Sequence, residues 1–123
     1  MANPVYFFEI PVGDLQRAVA FYETVFGFTF EIRTVDGHDM AFFPRADDQP
    51  GASGALAVGE GYTPSHAGCL IYFDVPKIDD VLRIAQAEGA RVLYPKTDIG
   101  EAGFVAEIED SEGNRIGLNE YAE

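Results

Sequence analysis

This sequence predicts an α+β domain built from two tandem copies of a βαβββ unit. Three observations predict it. A strand-like run followed by a helical run occurs twice, with the helix-opening Leu15 recurring as Ile78, 63 positions on. Each helical run leads into three shorter β candidates, and the turns between those candidates carry hairpin chemistry. Runs of strands with one helix per unit argue for helices gathered on one face of a curved sheet.

The first element is residues 5–12 (VYFFEIPV), rich in aromatic and β-branched residues. Asp14 then offers a carboxylate to the free amides of a first helical turn. Leu15, Ala18, Val19, Tyr22 and Phe26 fall on one face of a helix over residues 15–26. Gly27 stands where a left-handed C-cap residue would end it. Three β candidates follow, at residues 28–33, 39–43 and 53–59, the first two joined through Asp36-Gly37. Residues 59–68 (GEGYTPSHAG) read as the connection between the copies, because glycine and proline punctuate them. The second copy opens with residues 69–75 (CLIYFDV). Ile78, Val81, Leu82 and Ala85 repeat the helical spacing, and Gly89 ends it. Strands are expected at residues 91–95, 103–109 and 115–119, the last two joined by Glu112-Gly113-Asn114. The single domain, residues 1–123, is thus expected to hold unit one at about 4–59, a linker at about 60–68 and unit two at about 69–120.

A chain of 123 residues buries roughly two-thirds of its unfolded surface, enough for a core without disulfides or a structural metal. Cys69 is the single cysteine, so no intrachain disulfide can form, which is compatible with a reducing cytoplasm, the expected compartment. No apolar run has the length of a membrane span, and the first residues lack the basic-then-apolar pattern of a secretory signal. The net charge of −13 repels phosphate backbones and anionic lipid, which argues against nucleic-acid and membrane partners. It reads as a solvated acidic surface.

Residues 8–22 (FEIPVGDLQRAVAFY), ending at Phe26-Gly27-Phe28, resemble the opening of vicinal oxygen chelate proteins. That superfamily holds glyoxalase I, bleomycin-resistance proteins and extradiol dioxygenases. Residues 110–118 (DSEGNRIGL) resemble its closing hairpin, D-P-x-G-N-x-[IV]-x-L, so the resemblance spans nearly the whole chain. It implies two sheets curled around a central cavity that takes a small-molecule ligand. It also implies a homodimer, which some relatives build by exchanging units between chains. In metal-dependent members, His, Glu or Gln side chains from the first and last strands of each unit bind one divalent ion.

Aligned to those motifs, the metal-ligand positions are Phe7, Leu70 and Gly117, with Ala55 as the counterpart in the first copy; a slip of one residue there gives Leu56. None of these side chains can donate to a metal. The inherited metal site is expected to be absent, with no other cofactor in its place. His38, beside the Asp36-Gly37 turn, and His66, in the linker, are read as solvated loop histidines. Cys69, on the face opposite Leu70, is expected to pack beneath a helix as a small hydrophobe.

Alternation along strands places Val5, Phe7 and Glu9 on the cavity side of the first copy. Leu70, Tyr72 and Asp74 take that side in the second, and Arg115, Gly117 and Asn119 take it along the closing strand. Glu9 stands out, because a carboxylate inside an apolar strand must be paired, hydrogen-bonded or protonated. Its candidate partners are Tyr72, Asn119, Arg115 and Lys96. The metal-free relatives that the chain resembles also carry an F-E-I-P run and a K-T-[DE]-I-G-E segment, here residues 96–101. Phe7, Glu9, Tyr72, Lys96, Arg115 and Asn119 form the expected ligand-binding set, whereas Phe42, Tyr94 and Phe104 read as core. The function expected first is metal-free binding of a small organic molecule in the cavity. The alternative is a lyase or isomerase of glyoxalase type, with Glu9 as general base or a relocated metal site. A structural or regulatory partner domain is a third class, and no residue argues for it.

Overall fold

The computed structural model describes residues 3–122. Its first half runs β1 (Phe7–Val12), α1 (Leu15–Phe26), β2 (Glu31–Val35), β3 (His38–Phe42) and β4 (Ser53–Val58). The second half runs β5 (Tyr72–Asp74), α2 (Ile78–Ala87), β6 (Val92–Asp98), one 3-10 turn (Gly100–Ala102), β7 (Phe104–Glu109) and β8 (Arg115–Glu120). The two halves form separate four-stranded sheets of the same topology, β1-β4-β3-β2 and β5-β8-β7-β6. In each, the opening and closing strands pair in parallel and the remaining pairs are antiparallel. This is the α+β architecture of two tandem βαβββ units that the repeat predicts.

Local chemistry accounts for the first helix. Asp14 sits in extended conformation at the N-cap and its Oδ1 accepts from the Arg17 amide at 3.0 Å. Gly27, at φ 79°, adopts the left-handed conformation a C-cap needs and donates its amide to the Glu23 carbonyl at 2.9 Å. The second helix solves its N-terminus differently. Lys77 at the N-cap makes no side-chain cap; instead Glu120, at the end of β8, accepts from the buried amide of Ile78 at 2.8 Å. Asp79 and Asp80 in its first turn also suit the positive end of the helix.

Three elements depart from expectation for physical reasons. β2 begins at Glu31 rather than residue 28, because Phe28 and Phe30 turn into an aromatic cluster with Tyr22, Phe26, Phe43 and Phe73. β6 runs on to Asp98 with irregular register on either side of Tyr94, where Pro95 has no amide to give the ladder. Cys69 is exposed rather than packed under a helix: β5 starts only at Tyr72, so strict alternation does not reach back to it. The Asp36-Gly37 turn behaves as its residues dictate, both taking positive φ (52° and 78°) to close the β2–β3 hairpin.

One continuous core lies between the helix-bearing faces of the two sheets. It joins Ile10 and Leu56 of the first sheet, Phe73, Ile108, Ile116 and Leu118 of the second, and the inner faces of both helices. The halves are also fastened through polar groups. Asn114 donates to the Pro11 carbonyl at 2.7 Å. Tyr22, fully buried on α1, donates its hydroxyl to Asp110 Oδ2 at 2.7 Å. Asp110 meanwhile gathers the amides of Glu112 and Asn114 into the closing turn. Burial first, then the adjacent Asp110 charge, hold the Tyr22 phenol well above its ordinary value, so it remains a donor. Tyr22→Phe removes one buried charge-assisted bond and is expected to cost about 2 kcal/mol. Urea titration followed by circular dichroism reads this directly, and an unchanged midpoint would remove the bond from the account of stability.

Candidate functional site

Both sheets turn one face to the core, so their other faces point outward. On the first sheet this open face carries Phe7, Glu9 and Pro11 from β1, whose cross-strand partners on β4 are Ser53, Ala55 and Ala57. Met40 and Phe42 of β3 continue those rows. Met40, Ala55 and Ala57 form a small buried cluster, covered by Phe42 and Tyr62. Phe7 stays 36% exposed and its ring lies 6.0 Å from that of Phe42. The outer face of Phe42 is occupied by the Arg33 guanidinium at 3.9 Å, which Glu31 also pairs at 3.2 Å. A cleft of about 440 Å³ opens at the edge of this face, lined by Phe7, Phe30, Phe42, Arg33 and Arg45.

Glu9 is exposed within this apolar surface, and its Oε1 accepts from the Tyr62 hydroxyl at 3.1 Å. Tyr62 reaches it from the connection between the halves. Gly59 and Gly61, at φ 136° and 90°, turn the chain there, and the Tyr62 amide donates to the Gly59 carbonyl at 3.1 Å. His38 braces the ring edge-on at 5.5 Å. The bond to Glu9, with a smaller contribution from desolvation, holds the Tyr62 phenol above its ordinary value, so it stays protonated and donates.

The open face of the second sheet is more polar. Tyr72, 48% exposed, lies over Gly117, where an added Cβ would meet its ring carbons at 2.6–2.8 Å. Asn119 donates to Asp74 at 2.9 Å, and Arg115 donates to Glu107 at 2.6 Å. That bond and the Glu107 charge raise the Arg115 guanidinium above its ordinary value.

The structure therefore divides the residues the sequence grouped together. Phe7 and Glu9 share the first sheet; Tyr72, Arg115 and Asn119 share the second; and the core separates the two faces within one chain. Glu9 is partnered by Tyr62 and by none of the four expected side chains. Lys96 lies on the helix-bearing side of its sheet, bonded to Asp79 of α2 at 3.2 Å, 3.9 Å from Glu120 and above the Phe104 ring. The acids at the start of α2 draw it there. The central cavity expected of the curled sheets is thus not closed by these two faces within a single chain. Tyr62 and His38 are the site residues that strand alternation missed. The signal for Tyr62 was an aromatic between glycines in an otherwise polar connection. His66, read as solvated, pairs with Glu109 at 2.8 Å and anchors that connection to the second half.

Phe7, Ala55, Leu70 and Gly117, the positions that the resemblance aligns with metal ligands, carry no side chain that can donate to a metal. Asp14 and Lys77, the two helix N-caps, stand seven residues beyond Phe7 and Leu70 respectively, so Phe7 and Leu70 are equivalent positions of the two halves. At Gly117 the Tyr72 ring occupies the volume a ligand side chain would need. No group of three or more His, Cys, Asp or Glu converges anywhere among the described residues. The residues present do not fit the family's metal.

Comparison with known proteins agrees with the architecture. The sequence profile of the Glyoxalase/Bleomycin resistance protein/Dioxygenase superfamily matches residues 5–118. No curated protein matches the sequence. Glyoxalase I of Zea mays superposes with a TM-score of 0.70 at 17% identity, over 95% of this chain but 46% of its own, so the chain spans about half of that enzyme. Glyoxalase I of Leishmania major gives 0.73 at 22% identity, covering 97% of this chain and 87% of its own. TnmS3, an antibiotic binding protein from Streptomyces sp. CB03234, gives 0.67 at 22% identity, with 99% of both chains covered. At these identities the likeness shows the fold.

Proposed function

Since the chain belongs to the Glyoxalase/Bleomycin resistance protein/Dioxygenase superfamily, we propose that it binds a small organic molecule without the divalent metal, at a site completed by a second copy of the chain. The observation that carries this reading is the pair of open faces. One is apolar and aromatic around Glu9; the other is polar around Tyr72, Asp74, Arg115 and Asn119. A site of stacked apolar surface with a few placed polar groups is what small-molecule pockets require. A two-fold axis that sets the first sheet of one copy over the second sheet of the other makes two such enclosures at once. The antibiotic-binding protein TnmS3 shares the fold at full length, a precedent for a binding role on this scaffold.

The test is a thermal-shift panel of small aromatic and antibiotic molecules, followed by calorimetry on those that stabilise. A ligand that binds only the folded state raises the melting temperature as its concentration rises above its Kd. One ligand bound per protomer supports the proposal, and no stabilisation across the panel counts against it. Metal is tested separately. Protein stripped with chelator and titrated with Zn, Ni or Mn is expected to give no stoichiometric binding; one tight equivalent per protomer that supports turnover would restore the isomerase or lyase reading.

A further inference from the structure

We propose that Glu9 and Tyr62 form a subsite for a protonated amine, so that the ligand is a cation carrying an apolar or aromatic body. This rests on the small-molecule reading above and names the ligand's chemical class.

Glu9 is a carboxylate set among Phe7, Phe42, Met40, Ala55 and Ala57. The Tyr62 hydroxyl is the one polar contact its side chain makes among the described residues, and that donor is neutral. Basic side chains elsewhere on this face are already matched: Arg33 with Glu31 at 3.2 Å, and Arg45, at the edge, with Asp47 at 2.7 Å. An ammonium group adds to its hydrogen bond an attraction of opposite charges that a neutral phenol lacks, so it gains by joining or displacing Tyr62. Phe7, beside Glu9 on the same strand face, and the Tyr62 ring supply aromatic surface for the ligand's apolar body. His38, the titratable group packed on Tyr62, meets the ring in an edge-on arrangement at 5.5 Å. The net charge of −13 raises the local concentration of cations at any such face. Tyr62 has a defined part here. Held by the Gly59–Gly61 turn, it covers the carboxylate when no ligand is present and supplies a wall when one is.

Three probes share one naphthyl ring and differ in charge: 2-(1-naphthyl)ethylamine, 2-(1-naphthyl)ethanol and 1-naphthylacetate. Their affinities for the full chain are compared by calorimetry at neutral pH and near-physiological salt. The amine is expected to bind about tenfold more tightly than the alcohol, the advantage of an opposite charge over a neutral donor on the same carboxylate. Glu9→Gln should erase that ratio by weakening the amine far more than the alcohol. Because Glu9 is exposed, the variant is expected to melt like the parent, which the same samples check. Tyr62→Phe, which frees the carboxylate, should hold or raise the amine's advantage. If the amine keeps its advantage in Glu9→Gln, or the acetate binds as well as the amine, the cation assignment is wrong while small-molecule binding stands. If none of the probes binds, the assignment of a cation with an aromatic body falls, while the panel above decides small-molecule binding.

Discussion

Glu112→Gln is expected to lower the melting temperature by about 10 °C at neutral pH, corresponding to the loss of ~3 kcal/mol in a domain of this size. Glu112 lies in the closing turn of the second half, yet its fully buried carboxylate serves the first. Oε1 accepts the amides of Gly13 and Asp14 at 3.0 and 2.9 Å, and Arg17 adds a forked pair at 2.7 and 2.8 Å. Ser111 donates to Oε2 at 2.8 Å. Burial on its own pushes this acid up. The Arg17 pair, the Ser111 hydroxyl and the two amides outweigh burial and hold it at about 2, against 4.5 ordinarily. An amide in its place turns an N–H toward Arg17 and leaves that cation and the turn amides poorly paired.

The sign of the pH dependence follows from the lowered value. A carboxylate easier to ionise in the folded than in the unfolded chain adds stability that is complete above its unfolded value. That increment is lost as pH falls from about 4.5 toward about 2. Melting curves of the parent and of Glu112→Gln should therefore converge across that window, since only the parent has the increment to lose. A constant difference down to about pH 2 would contradict the ionic origin of the clasp.

If the proposed dimer forms, Phe7→Glu and Tyr72→Glu are each expected to convert it to monomer and to abolish ligand binding. In a single chain both side chains are substantially exposed, 36% and 48%, so the fold tolerates the change. Across the proposed two-fold interface each would bury an added carboxylate, Phe7→Glu on the apolar face and Tyr72→Glu opposite it, weakening association about a hundredfold or more. Analytical ultracentrifugation of the parent and both variants, with melting temperature as control, tests it. A parent that sediments as a monomer at high concentration defeats the assembly, and variants that remain dimeric move the interface elsewhere on the surface.

How much of this was legible in the sequence depended on the range of each interaction. The helix over Leu15–Phe26 was readable because its cap residues, Asp14 and Gly27, act within four positions of their partners. The hairpin at Asp36-Gly37 was readable because positive φ at two consecutive residues is a property of those residues. The donor-less positions Phe7, Ala55, Leu70 and Gly117 were readable because the repeat aligned them. Glu9 was recognisable as an acid out of place, but its partner was not: Tyr62 lies 53 positions away, across a turn shaped by two glycines. The cap of α2 by Glu120, 42 positions on, left no mark in the sequence around Lys77.

The sequence by itself thus determined the duplication, the order and kind of the elements, and the lack of donor side chains at Phe7, Ala55, Leu70 and Gly117, because each follows from local conformational preference or residue chemistry. Only the tertiary structure decided which faces meet. Apolar residues are most numerous on the helix-bearing faces, and burying those against each other closes one core through both halves. The same packing turns Glu9 and Tyr72 outward on opposite sheets, sends Lys96 to α2, and makes Glu112 a fastening between halves rather than a surface acid. Periodicity records which side of a strand a residue takes; what that side faces depends on how the two sheets dock.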